Sequence, residues 1–182
     1  MIYKENLSGK LITLRTIEIS DCNEAYVSWL NDSMVNQYLE TRFSVQTLQS
    51  IIEFVYGMIK SDSSYLFAMI TNDGNSKHIG NIKLGPIHPH YLCADVSYFI
   101  GDKNYWGKGI ATEAIKLVVD FAFDKLKLHR VQAGVFEHNI GSVKALEKSG
   151  FICEGRLRNQ LRVNTKSQWQ DHLFYGILNE NE

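Results

Sequence analysis

Two glycines separated by one residue, Gly107 and Gly109, follow an apolar strand pattern and lead directly into a helical pattern. At a helix N-terminus several backbone N–H groups lack intrahelical partners, and the helix dipole adds partial positive charge there. Glycine lets such a backbone approach an anion without a Cβ in the way. The order strand, glycine turn, helix therefore predicts a site for a phosphate group.

Two widespread phosphate-binding motifs do not fit this spacing. A Walker A loop needs Gly, four residues and then Gly-Lys-Ser/Thr, whereas Gly101 and Gly107 are one residue too far apart and Gly109 stands where Ser or Thr would bind Mg²⁺. A dinucleotide fingerprint needs a third glycine, and Thr112 occupies that position. The spacing argues against ATP, GTP and NAD, and it leaves an ordinary strand-to-helix turn as the alternative.

The string Tyr105-Trp-Gly-Lys-Gly-Ile-Ala-Thr-Glu-Ala114 resembles motif A of the GNAT N-acetyltransferases, and in particular of their RimJ/RimL-type branch. Both motif glycines match, while Asn104 replaces the usual Gln or Arg. The resemblance covers the chain from Leu11 to about Leu178 and implies that the turn binds the pyrophosphate of acetyl-CoA. The acetyl-CoA-binding residues that it implies here are Phe99, Ile100, Trp106, Gly107, Lys108, Gly109, Ile110, Ala111 and Thr112.

A second segment, Asn139-Ile-Gly-Ser142 followed by Gly150-Phe151, agrees with the same family. Asn139 suits a helix N-cap and Gly150 suits the position after a helix end, so local rules predict a helix over 139–149. In the family this Asn contacts the pantetheine arm of acetyl-CoA. A plain helix cap is the alternative role for Asn139.

Acetyl transfer to an amine requires that the amine lose a proton and that the departing thiolate gain one. For the base, Asp95 lies on the strand before the glycine turn, where histone-type relatives carry a catalytic glutamate. Burial beside the thioester would raise its pKa toward neutrality, which suits a base. The alternative is a strand-end carboxylate that faces water or pairs with Lys83 or His90.

For the acid, many relatives carry a tyrosine seven residues after the motif asparagine, but this chain has Leu146 there. RimL-type relatives are proposed to use the serine three residues after it, which here is Ser142. Its alternative role is a hydrogen bond to the first turn of its own helix. Those relatives also use a glutamate near position 161, where this chain has Leu161, so that base is not carried over.

The acceptor site is less defined. The family resemblance places it beside the first two helices, within residues 21–60, and we expect Tyr38, Arg42 and Arg158 to bind the acceptor. Arginine pairs well with phosphate and carboxylate groups, although surface ion pairs are the alternative. Similarity to acetyltransferases of surface-polysaccharide clusters favours an amino sugar carried on a nucleotide. A protein N-terminal amine and a non-catalytic acetyl-CoA-binding module remain as alternatives.

The composition fits one domain spanning residues 1–182. A net charge of −1 argues against nucleic acid and acidic membranes as partners. The first residues form no apolar signal core, so we expect a cytoplasmic protein. Three cysteines without close pairing and six scattered histidines predict no metal site. The partner is a small-molecule or peptide amine, and a homodimer is left open.

The order of the predicted elements indicates an α/β fold of the mixed α+β type, the GNAT fold. It contains a central mixed, mostly antiparallel sheet of about seven strands with about four flanking helices. Helices are predicted from a capping box at Asp21, from near Ser44, over Gly107–Leu126 and over Asn139–Ser149. The predicted strands are Lys10–Arg15, Tyr65–Ile70, Ile79–Leu84, Leu92–Gly101, His129–Phe136, Phe151–Arg158 and Gln168–Leu178.

Overall fold

The computed structural model describes residues 1–163 and 168–180, and eight strands in this part of the chain form one sheet. Across the sheet the order is β1-β2-β3-β4-β5-β6-β8-β7. All neighbouring strands are antiparallel except β5 and β6, which run parallel, so the predicted mixed sheet is confirmed. The strands are β1 Leu7–Ser8, β2 Ile12–Thr16, β3 Tyr65–Thr71, β4 His78–His88, β5 Cys93–Ile100, β6 Arg130–Phe136, β7 Ile152–Arg162 and β8 Trp169–Leu178. Only the two-residue β1 was not expected.

Five α-helices lie within the described ranges: α1 Glu24–Asn31, α2 Ser33–Asn36, α3 Leu48–Lys60, α4 Ile110–Asp120 and α5 Ile140–Lys148. The four-residue α2 was not predicted because it is too short to show helical periodicity. The helix expected over 107–126 divides into α4 and a π-helical turn, Phe121–Lys125. No helix among these residues is long and apolar enough to cross a membrane.

Strand β3 shows why its sequence is continuously apolar. Phe67 and Met69 belong to the core that includes the buried side of α4, whereas Leu66 and Ala68 pack with α1 and α3. Because successive strand residues point to opposite faces, both faces of β3 are covered. Burying each large apolar side chain contributes about 1.5–3 kcal/mol.

Three predicted helix starts were wrong, and in one of them α4 begins at Ile110, after its N-cap Gly109, rather than at Gly107. Asp21 does not cap α1: its carboxylate pairs with the Arg15 guanidinium at 2.6 Å and accepts the Glu18 N–H at 2.8 Å. Asn23 caps α1 instead, by accepting the Tyr26 N–H. Helix α3 starts at Leu48 rather than near Ser44, because the Thr47 side chain accepts the Ser50 N–H and sets the helix N-terminus there.

The parallel pair β5 and β6 opens the space for a site. The two strands pair only from Cys93 to Asp95 on β5 and from Arg130 to Gln132 on β6. Beside this point the register of β4 against β5 shifts between Leu84 and Ile87. Such a bulge bends a strand and increases its twist, so β5 leaves β6 after Asp95. The cleft between the diverging strands lies at the centre of the sheet.

Candidate active site

Two glycines shape the turn between β5 and α4. Gly107 and Gly109 have φ values of 72° and 82°, a left-handed conformation that favours glycine. A Cβ at Gly107 would meet no atom within 4 Å, and one at Gly109 would meet only Leu11, at 3.9 Å. The space over the turn is therefore open to a ligand.

The N-terminus of α4 supplies the donors for that ligand. Gly109 is the N-cap residue, and the N–H of Glu113 makes the bond to the Gly109 carbonyl at 3.0 Å. The N–H groups of Ile110, Ala111 and Thr112 precede it and have no intrahelical acceptor. These donors and the helix dipole fit a pyrophosphate group, as the glycine turn predicted.

Next to the turn lies a cavity of about 520 Å³, which we call the cofactor cavity. It runs from the end of β5, past the glycine turn, to the start of α5, and the segment around α2 covers it. A cavity of this volume and apolar lining suits an extended cofactor arm. Its lining residues are Met34, Val35, Gln37, Tyr38, Leu39, Tyr98, Phe99, Ile100, Trp106, Gly107, Ala111, His138, Asn139, Ile140, Gly141 and Ser142.

The predicted cofactor residues fall into two groups. Phe99, Ile100, Trp106, Gly107, Ala111 and Asn139 line the cofactor cavity, whereas Lys108, Gly109, Ile110 and Thr112 do not. Ile110 is buried in the core, and the Lys108 ammonium lies over the ring of Tyr105, 5.4 Å from its centroid. Gly109 instead sets the conformation of the turn.

Asn139 and Ser142 meet at the start of α5. The Asn139 side-chain oxygen accepts the Ser142 N–H at 3.3 Å, so Asn139 caps the helix as expected. This bond uses the oxygen and leaves the Asn139 amide N–H₂ group as a donor for a ligand. Both predicted roles of Asn139, cap and cofactor contact, are therefore compatible.

A second cavity, of about 230 Å³, adjoins the first between the diverging strands, and we call it the acceptor cavity. It is mostly apolar, and Tyr38, Leu39, Tyr98, Asn139 and Ser142 line both cavities. Its remaining lining residues are Glu40, Val96, Ser97, Ala133, Gly134, Val135, Phe136, Leu146, Leu161 and His172.

The covering segment, residues 33–43, closes this cleft from above. The Tyr38 hydroxyl donates to the His138 carbonyl at 3.2 Å, and its ring packs 5.3 Å from that of Phe136. Tyr38, which was expected from the sequence to bind the acceptor, lines both cavities. Arg42 is placed differently: its guanidinium donates to the carbonyls of Leu39 and Arg162, and only 8% of its side chain is exposed.

Two further predicted residues lie outside both cavities. The Asp95 carboxylate accepts a hydrogen bond from the Gln132 side chain at 2.9 Å, at the last paired position of β5 and β6. It pairs with neither Lys83 nor His90. Arg158 lies on the exposed strand β7 and lines neither cavity. Ser142 is the only predicted catalytic residue of the two that lines the cavities.

Tyr98, which was not identified from the sequence, lies at the junction of the two cavities. Its hydroxyl donates to the Ser142 carbonyl at 3.3 Å. Burial raises the pKa of Tyr98 to about 12, so the phenol keeps its proton at neutral pH. Side chains alternate along β5, and Ala94 and Val96 lie in the core. The same alternation in the sequence indicates that Tyr98 projects from the face of the strand that packs against α5.

His172 was also missed, because β8 becomes a neighbour of β6 only in the folded sheet. Burial lowers the pKa of His172, which favours the neutral imidazole. Within the described part of the chain, no group of three or more His, Cys, Asp or Glu residues is arranged to hold a metal ion. The polar side chains that line the two cavities are hydroxyls, two amides, one carboxylate and two imidazoles.

Comparison with known proteins agrees with this geometry. Residues 12–152 match the family described as "Acetyltransferase (GNAT) domain". The chain is 36% identical over 182 residues to the "Probable N-acetyltransferase YjcK" of Bacillus subtilis, covering 97% of this chain and 98% of the relative. It is also 29% identical over 122 residues to the "[Ribosomal protein uS5]-alanine N-acetyltransferase" of Escherichia coli, covering 65% and 59% of the two chains.

Among solved structures, spermidine N-acetyltransferase from Vibrio cholerae in complex with CoA and spermine has the same fold, with a TM-score of 0.81 and 24% identity. The match covers 93% of this chain and 96% of that chain. The fold, the glycine turn and the family match agree. The chain belongs to the GNAT acetyltransferase family and is an acetyl-CoA-dependent N-acetyltransferase.

Proposed function

We propose that the enzyme transfers the acetyl group directly to an unprotonated primary amine, and that this amine is the N-terminal α-amine of a peptide or protein. The observation that carries the proposal is the junction of the two cavities. Tyr98, Asn139 and Ser142 line both of them. An activated acetyl group in one cavity and an amine in the other would meet at these residues.

This arrangement supports a ternary complex in which both substrates are bound before reaction. Holding two reactants in adjoining cavities replaces a bimolecular encounter with an intramolecular one, which accounts for much of the rate of such reactions. Acetyl-CoA supplies the activated acetyl group as a thioester. The chain supplies the walls that exclude water and the groups that hold protons.

Two hydroxyls at the junction can stabilise the departing thiolate. The Tyr98 phenol keeps its proton at neutral pH and is held beside the Ser142 carbonyl. The Ser142 hydroxyl lines both cavities at the start of α5. We assign the proton donor to this pair, with Ser142 in the role expected for it from the sequence. The Asn139 amide is placed to orient the cofactor arm.

The lining of the acceptor cavity argues for a peptide amine. Of its described lining residues, Glu40 is the one carboxylate, and none is arginine or lysine. A polyamine has several ammonium groups, which several carboxylates would bind better than one. A nucleotide carries phosphates, which require cationic donors. A small N-terminal residue with one amine fits an apolar cavity whose single acid, Glu40, is already paired with Arg42.

An amino sugar on a nucleotide, which sequence similarity favoured as the acceptor, would use Arg42 and Arg158 to bind its phosphates. The Arg42 guanidinium is engaged by two backbone carbonyls, and Arg158 lines neither cavity. This acceptor therefore stays a prediction without support from the cavity lining. The relative that acetylates ribosomal protein alanine supports the peptide acceptor instead.

Initial rates of CoA release with a panel of amines test the proposal. The panel contains peptides with N-terminal Ala, Ser or Met, the same peptides with a blocked N-terminus and an internal lysine, spermidine, and a nucleotide-linked amino sugar. We expect the free N-terminal peptides to give the highest kcat/KM, and intersecting rather than parallel double-reciprocal plots. Preference for spermidine or the sugar would overturn the acceptor assignment, and parallel plots would overturn direct transfer.

A further inference from the structure

The imidazole of His172 forms part of the wall of the acceptor cavity. On the same strand, Leu173 and Tyr175 pack in the core beneath α4 and α5. Because neighbouring strand residues alternate, His172 and Phe174 project from the opposite face of the sheet. This is the face on which the diverging strands leave room for an acceptor.

Two contacts fix the orientation of the ring. Nδ1 of His172 lies 2.7 Å from the Gln160 side-chain oxygen on β7, and the ring packs against Phe174 with centroids 4.2 Å apart. With that oxygen as acceptor, Nδ1 carries the proton of the neutral imidazole. Nε2 then keeps its lone pair, which is the requirement for a base that is oriented by a third group.

Gly134 shows where Nε2 points. A Cβ at Gly134 would lie 2.1 Å from Nε2 of His172, so any other residue would displace the ring. Gly134 does not have a positive φ, so its backbone conformation does not require glycine. Glycine weakens a strand interior and there often marks a close approach. Since Gly134 itself lines the acceptor cavity, Nε2 lies at the cavity wall.

We propose that His172 is the general base that takes a proton from the ammonium group of the acceptor, a role that rests on the function proposed above. The proton moves to Nε2, and the freed amine attacks the thioester carbonyl carbon. A C–N bond forms and the C–S bond breaks, with its electron pair leaving on sulfur. The second amine proton reaches that sulfur, so the products are an amide, CoA and a protonated His172.

The charges around His172 are compatible with this role. Glu40 lines the same cavity from the covering segment, but its side chain is 82% exposed and pairs with Arg42 at 3.3 Å. Asp95 lies on the same sheet face two strands away, and the Arg42 guanidinium lies over the Phe136 ring. Burial lowers the pKa of His172, so the ring is neutral at pH 7. An α-amine, with a pKa of about 7.7–8.0, needs much less help to lose its proton than a lysine amine at about 10.4.

Replacing His172 tests the proposal. His172→Gln keeps a side chain of similar size but cannot accept a proton, and His90→Gln is the matched control on an exposed loop outside the site. Rates with an N-terminal alanine peptide are measured from pH 6 to 9.5. At pH 7 we expect His172→Gln to lower kcat roughly tenfold, because about a tenth of an α-amine with a pKa of about 7.7–8.0 is already unprotonated at that pH. This deficit shrinks above the pKa of the peptide amine, where free amine exists without a base, and His90→Gln behaves as wild type.

Three further variants separate a base from a structural role. Gln160→Glu places a carboxylate beside Nδ1, which stabilises the imidazolium, so the acid limb of the pH–rate profile moves to higher pH. Gly134→Ala displaces the ring and reproduces the loss seen in His172→Gln. Asp95→Asn leaves the pH profile unchanged, because its carboxylate is bonded to Gln132 outside the cavity.

The outcomes distinguish this inference from the proposed function. A deficit in His172→Gln that is equal at every pH, or a pH-dependent deficit in Asp95→Asn alone, overturns the role of His172. An unchanged Kd for acetyl-CoA, measured by calorimetry, shows that the variant is folded. If wild type prefers another amine of the panel, the acceptor assignment fails, and the same pH series with that amine tests His172. Absence of turnover with every amine overturns both.

Discussion

The cofactor cavity and the acceptor cavity are adjacent in space but differ in how the sequence builds them. Most of the cofactor cavity comes from two short stretches, the one around the glycine turn and the one at the start of α5. The acceptor cavity draws mainly on strands β5, β6, β7 and β8, whereas the covering segment contributes to both cavities. Local chemistry therefore determines the first cavity, and the order of strands in the sheet determines the second.

The largest effect should come from disrupting the glycine turn, which is built from residues close together in the sequence. Gly109→Val places a branched residue at a φ of 82°, so the turn must change conformation and its N–H groups lose their common direction. We expect acetyl-CoA to bind at least a hundredfold more weakly, about 2.7 kcal/mol. Isothermal calorimetry measures this loss, and circular dichroism checks the fold.

Gly74→Val is the matched control for that variant. Gly74 has a φ of 89° and, like Gly109, leaves its Cβ position open, but it lies in the loop between β3 and β4. Both variants should lose a similar amount of stability from backbone strain. Equal acetyl-CoA affinity in the two would mean that the phosphates bind elsewhere.

The next effect concerns the acceptor cavity, whose walls come from segments far apart in the sequence. There, Arg42 links the covering segment to β7. Arg42→Met removes guanidinium bonds to the carbonyls of Leu39 and Arg162, at a cost of about 2 kcal/mol in the free energy of unfolding. Urea denaturation measures the loss, and we expect the KM for the amine to rise more than the KM for acetyl-CoA. Unchanged stability with a raised acceptor KM would instead support the substrate-binding role expected from the sequence.

A smaller effect is expected at Tyr98, where the two cavities meet. Tyr98→Phe removes the phenol that can protonate the thiolate, so we expect kcat to fall about tenfold with no change in acetyl-CoA affinity. Because the pKa of Tyr98 is raised to about 12, the wild-type rate should show no decline from its ionisation below pH 10. Ser142→Ala is the paired variant, and a larger loss there would assign the donor to the serine.

The comparison also explains what the sequence could and could not predict. The glycine turn and the α5 cap were predicted because each depends on residues within one turn of a helix. The start of α3 was wrong because Val45 extends its apolar periodicity, although that side chain is 84% exposed. Thr47 and Ser50 decide the helix start by their reciprocal bonds.

Residues that reach the site only because of the order of strands in the sheet could not be identified from the local sequence. His172 reaches the acceptor cavity because β8 inserts between β6 and β7. Nothing in the sequence around His172 indicates that its strand lies beside β6. Gly134 offered a signal, a glycine within an apolar strand, but its contact with the His172 ring became evident only in the folded sheet, where its direct register partner is Phe174. Arg42 had the residue type for phosphate binding, and its burial against carbonyls depends on contact with β7.

The smallest effect is expected at Arg158, which was expected from the sequence to bind the acceptor. It lies on the exposed strand β7 and lines neither cavity, so Arg158→Ala should change the KM of each substrate by less than about twofold, since exposed charges contribute little. Steady-state kinetics at low and moderate salt measure both KM values. A salt-sensitive rise in the acceptor KM would show that acidic acceptors extend beyond the cavity onto β7. It would also support a nucleotide-linked acceptor, because the sequence predicts that Arg158 binds the acceptor and arginine pairs well with phosphate.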